Sequence, residues 1–97
     1  MITLATQVRQ IIRSNELAFG FWTNKYKNCR TVKCYLHGHD WDDYKAGGES
    51  RLRRTVQDLY KWAGEKGIVI DVKMIDWGDK LFGVSVPSFI VRIPLEN

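Results

Sequence analysis

Apolar residues recur at helical spacing in two stretches of the chain. Leu4, Val8, Ile11 and Ile12 form one stripe, with Gln7, Arg9, Gln10 and Arg13 on other faces. Leu52, Val56, Leu59 and Tyr60 form a second, extended by Ala63, with Arg53, Arg54, Gln57, Asp58 and Lys61 opposite. Thr3 and Ser50 stand where N-caps belong, and Gly64 and Gly67 supply a stop for the second helix. Extended material follows each helix. Ala18–Thr23 and Cys29–His37 flank a polar turn at Asn24–Asn28, and Ile68–Asp76 and Lys80–Leu95 flank a turn at Trp77-Gly78-Asp79. Ile68, Ile70, Val72 and Met74 alternate with Val69, Asp71 and Lys73, the period-two pattern of a strand with one buried face. Phe82, Val84 and Val86 alternate likewise, but beyond Pro87 the apolar parity switches to Phe89, Val91 and Ile93. That switch predicts a bulge or bend at Val86-Pro87-Ser88.

The predicted order is αββαββ in a single domain spanning residues 1–97. Two amphipathic helices on one face of a four-stranded antiparallel sheet would bury every stripe, giving a two-layer α+β sandwich. The order is that of a ferredoxin-like βαββαβ unit whose first strand has been moved to the end. A topology of this kind assigns no function by itself.

Charge narrows the partners. The 97 residues carry 15 Lys and Arg against 11 Asp and Glu, a net charge of +4. That balance suits nucleic acid or an acidic protein surface and excludes a carboxylate mimic of DNA. Arg9 and Arg13 interrupt the N-terminal apolar pattern, unlike a secretory signal, and Ile68–Ile70 and Phe89–Val91 are too short to span a bilayer. The expectation is a soluble cytoplasmic chain with no membrane association. Cys29 and Cys34, if both lie on one strand, are roughly 16 Å apart. That is beyond disulfide reach, so two reduced structural thiols are expected.

The segment Leu36–Tyr44, LHGHDWDDY, raises the question of a metal. His37 and His39 in extended chain would point to one side, and Asp40 or Asp42 could complete a His₂-carboxylate set with an open position for water. A metal-dependent nuclease or hydrolase would follow from such a site. The spacing matches none of the short metal signatures, however, and the chain contains no further histidine. A polar loop between elements accounts for the same residues, so no cofactor is expected.

Three arginines, Arg51, Arg53 and Arg54, crowd the first turn of the second helix, where positive charge opposes the helix dipole. An external anion bound by N–H groups and guanidinium forks would resolve the conflict. So would pairing with Asp40, Asp42, Asp43 and Glu49 nearby, and this internal resolution is preferred.

Helices on one side leave the other side of the sheet open. Taking Val32, Cys34 and Leu36 as buried puts Thr31, Lys33, Tyr35 and His37 on the open face, with Trp22, Val69, Asp71, Lys73 and Ile75. Trp22, Lys33, Tyr35 and Lys73 combine stacking rings with cations, as single-strand nucleic-acid platforms do. Trp41 and Trp77, expected in loops, and Trp62, off the main helical stripe, are further candidate contact residues. The expected function is a small non-catalytic binding protein that docks on nucleic acid or on a nucleic-acid-handling protein complex. Its size and character suit an inhibitor or accessory factor of phage or mobile-element type. The alternatives are the metal-dependent enzyme at His37–Asp40 and a self-associating module, such as a homodimer.

Overall fold

A computed structural model describes residues 3–17, 20–25, 29–81 and 84–95. The first helix, α1 (Leu4–Ser14), starts where Thr3 accepts a hydrogen bond from the Thr6 amide at 3.1 Å. It buries Ala5, Val8 and Ile12. Its end is irregular: the Asn15 side chain donates to the Ile11 carbonyl, and Glu16 takes a left-handed φ of 59°. That conformation costs a non-glycine residue about 1 kcal/mol.

Two strands follow, β1 (Gly20–Lys25) and β2 (Cys29–Tyr35), then α2 (Gly38–Lys45), α3 (Arg51–Lys66), β3 (Asp71–Leu81) and β4 (Val84–Pro94). Ser50 caps α3 by accepting from the Arg53 amide, and Gly67 ends it at φ 70°, in the left-handed region that favours glycine. The buried stripe of α3 is Leu52, Thr55, Leu59 and Ala63. Tyr60, expected inward, is exposed, and Thr55 takes an inward place instead. Burial of Thr55 is possible because its hydroxyl donates to the Arg51 carbonyl one turn back, at 2.7 Å.

The strands form one antiparallel sheet in the order β1-β2-β4-β3. Val32 and Cys34 of β2 and Phe89, Val91 and Ile93 of β4 share a single core with the buried faces of α1 and α3. The parity predicted for β2 therefore holds. Cys34 is buried, Cys29 half-buried, and neither forms a disulfide.

Two expectations need correction. Trp77-Gly78-Asp79 is not a turn but part of β3, which continues to Leu81 and pairs it with Val84. Phe82, expected within a strand, lies outside the described residues. The irregularity anticipated near Pro87 is present on the facing strand. The register runs from Ile75↔Ser88 to Asp79↔Val86, so β3 carries extra residues opposite Pro87. Proline has no N–H to give the ladder, which makes this a low-cost place to interrupt it.

The second correction is a third helix. His37–Lys45, expected as a loop, contains α2, with His37 at its N-cap. Trp41 turns inward from it and is only 5% exposed, stacked on Tyr44 with ring centroids 5.9 Å apart. Its role as a surface contact residue is thereby withdrawn. The helix forms because burying this large ring outweighs the modest helix propensity of the surrounding aspartates.

Candidate binding surfaces

The geometry around α2 is inward-looking. Asp40 is 2% exposed, and Arg51 grips it: Nε donates to Oδ1 at 3.1 Å and Nη2 to Oδ2 at 3.3 Å. The third guanidinium nitrogen donates to the carbonyl of Glu16, the left-handed residue after α1. His39 Nε2 lies 2.9 Å from Arg51 Nη2. The same His39 nitrogen lies 3.6 Å from Asp40 Oδ2, so the ring sits at the edge of the Asp40–Arg51 pair. His37 and His39 stack face to face with centroids 5.5 Å apart. Asp42 is exposed. Among the described residues no three His, Cys, Asp or Glu side chains are grouped to hold a metal ion.

The arginines at the start of α3 divide into three situations. Arg51 is committed to Asp40. Arg53 donates to the carbonyls of Tyr44 and Gly48, both 3.1 Å away, and lies over the Tyr44 ring at 4.8 Å. It thus gives the Tyr44 carbonyl at the C-terminal end of α2 a second donor, beside the Gly47 amide at 3.2 Å, and ties the following Gly48 to α3. Arg54 is exposed, with no side-chain partner among the described residues. The conflict with the helix dipole is met internally for two arginines and by solvent for the third. Backbone carbonyls of Glu16, Tyr44 and Gly48 share the answer with Asp40, a contribution that sequence reasoning missed because carbonyls carry no sequence signal.

Trp62 is half-buried and donates to the Gln7 side chain at 3.0 Å, joining α3 to α1. Asn15 and Asp58 make a second such link at 3.0 Å. Together with Ile11, Gln7 and Trp62 line a shallow groove between the helices. Trp62 is thus a packing residue of the helical layer.

The other side of the sheet offers a different surface. Directly opposed residues in an antiparallel pair share a face, and the register aligns Trp22 with Lys33, Lys33 with Ile90, and Ile90 with Lys73. A parallel row runs Gly20, Tyr35, Ser88, Ile75, and a third runs Asn24, Thr31, Arg92, Asp71. Lys73, Arg92 and Asp71 are exposed, Lys33, Tyr35, Ile90 and Ile75 half-buried, and Thr31 and Ser88 buried. Lys33 Nζ lies 5.6 Å from the Tyr35 ring centroid, a cation resting beside a ring. The side chains of Trp22 and Trp77 lie outside the described residues. Val69, just before β3, is 89% exposed. Of the predicted site residues, Lys33, Tyr35 and Lys73 are brought together, and Arg92 and Ile90 join them. Those two went unnamed in the sequence reading, although the inward parity of Phe89, Val91 and Ile93 turns them to this face.

No helix among the described residues is long and apolar enough to cross a membrane. No protein-family model, curated protein or solved structure matches the chain.

Proposed function

We propose that this chain is a small non-catalytic binding protein that docks on nucleic acid or a nucleoprotein complex through the open face of its sheet. The observation that carries the reading is the register row Lys33–Ile90–Lys73, with Arg92 and Tyr35 beside it. Cations and a ring are gathered there on the side that the helices leave uncovered. Cationic faces of this kind draw polyanions by counterion release. The strand order β1-β2-β4-β3 supports the finer topological reading, a ferredoxin-like unit with its first strand moved to the end. A folded single-domain chain of 97 residues suits an accessory factor or inhibitor that acts by occupying a surface.

The test is retention of the folded chain on immobilised nucleic acid and on immobilised nucleoprotein. The double variant Lys33→Glu/Lys73→Glu reverses charge on the open face, and Arg13→Glu does so on the exposed side of α1. The open-face variant should elute at much lower salt than the parent on at least one matrix, and the α1 variant should elute at slightly lower salt. Equal elution of the two variants on both matrices would refute the reading.

A further inference from the structure

We infer that the open face takes single-stranded rather than duplex nucleic acid, an inference that rests on the reading above and narrows it to one ligand. Three cations occupy the face, Lys33 on β2, Arg92 on β4 and Lys73 on β3. Lys33 and Lys73 flank Ile90 across the central strand, so their backbones are roughly 10 Å apart. Arg92 is two residues along from Ile90, which puts it about 8 Å from each of the others. The arrangement is a triangle wide enough to meet successive phosphates of one strand.

The ring is set to one side of this triangle. Tyr35 is on β2, two residues from Lys33, with its half-exposed ring beside the Lys33 ammonium. A base stacked on that ring would leave its own phosphate nearest Lys33, with Lys73 and Arg92 placed to meet the phosphates that follow along the strand. Bases in a duplex have both faces covered by their neighbours, so they cannot use such a ring; bases of a single strand can. Duplex reading also calls for a helix or ribbon that enters a groove. The exposed charged positions of α3, Arg54, Lys61 and Lys66, are interspersed with Asp58 and Glu65, which leaves no continuous cationic reading edge.

Asp71 marks the weak point of the face and supplies a sharp test. It is exposed and is the register partner of Arg92, so its carboxylate opposes any phosphate bound there. Asp71→Asn removes that opposition without touching the core.

The experiment is fluorescence anisotropy with a labelled thymidylate single strand of about 12 nucleotides and a labelled duplex of the same length. The single strand should bind at least tenfold more tightly, with a log–log salt slope of about −2 from three cations. Lys33→Gln and Lys73→Gln should each make the slope shallower by about 0.7. Tyr35→Ala should weaken binding about tenfold with the slope unchanged, while Tyr35→Phe, which keeps the ring and its packing, should bind as the parent does. Asp71→Asn should tighten binding. Equal or stronger binding to the duplex overturns the single-strand inference and leaves the broader reading standing. Absence of binding to either probe at low salt, with retention on nucleoprotein that depends on Lys33 and Lys73, has the same effect. Binding that none of the open-face variants alters overturns both.

Discussion

Arg51 ties three segments together through one buried carboxylate. Its guanidinium holds Asp40 of α2 at 3.1 and 3.3 Å, donates to the Glu16 carbonyl at the end of α1, and belongs itself to the first turn of α3. The two partners are unequally placed. The Asp40 side chain is 3% exposed and that of Arg51 32%, so a stranded carboxylate would be dry and a stranded guanidinium could reach water. Removing one member of a fully buried pair costs about 3–5 kcal/mol. Arg51→Met should approach that range, and Asp40→Asn should cost less, about 1–2 kcal/mol, because the amide keeps one acceptor. Urea denaturation of the two variants and of the double variant measures the difference. A double variant less destabilised than the sum of the two would confirm that the residues act as a pair.

Arg53 and Arg54 are neighbours with opposite prospects. Arg53 supplies donors to Tyr44 and Gly48 and covers the Tyr44 ring, a planar fork that lysine cannot reproduce. Arg53→Lys should therefore cost about 1 kcal/mol, and Arg54→Lys should stay within about 0.5 kcal/mol. Denaturation midpoints of the two variants check the contrast. Equal midpoints would remove Arg53 from the C-terminal capping of α2.

The tryptophans of the helical layer separate in the same way. Trp41→Ala empties a core position and should cost about 3–5 kcal/mol, enough to threaten folding of a domain this small. Trp62→Phe keeps most of the packing and loses the bond to Gln7, an expected loss of about 1 kcal/mol. Thermal unfolding followed by circular dichroism ranks them. A milder effect at Trp41 than at Trp62 would contradict the inward placement of α2.

The two thiols should be distinguishable by reagent. Cys34 is buried in the core and Cys29 half-buried at the end of the sheet. Native protein should show one thiol that reacts readily and a second that reacts only on unfolding. Rapid modification of both in native protein would mean that the core around β2 opens.

Most of this layering could be read from spacing. Val8 and Ile12 on one helix, Leu52 and Leu59 on the other, and Val32 and Cys34 on β2 all point inward as their periods require, with Leu4 packed against them at the edge. Thr3 and Ser50 cap where their position before an apolar stripe suggests. Helix α2 was illegible because eight residues with three aspartates hold little apolar pattern; its support is Trp41 burial and a cap from Arg53, both tertiary. The β3 bulge was misread as a turn because Trp77-Gly78-Asp79 suits either. What decides between them is Pro87, on a strand met only after the chain reverses. The open face was partly legible. Parity gave Lys33, Tyr35 and Lys73 and implied Ile90 and Arg92 opposite Phe89, Val91 and Ile93, while placing those two between the lysines needed the knowledge that β4 runs between β2 and β3.

The most direct measurement is an amide NMR map of the chain with and without a thymidylate single strand. Shifts concentrated at Lys33, Tyr35, Ile90, Arg92 and Lys73, with Gln7, Gln10 and Trp62 unmoved, are the expected result. Shifts centred on the groove between α1 and α3, with the sheet residues unmoved, would contradict the assignment of the open face as the binding surface.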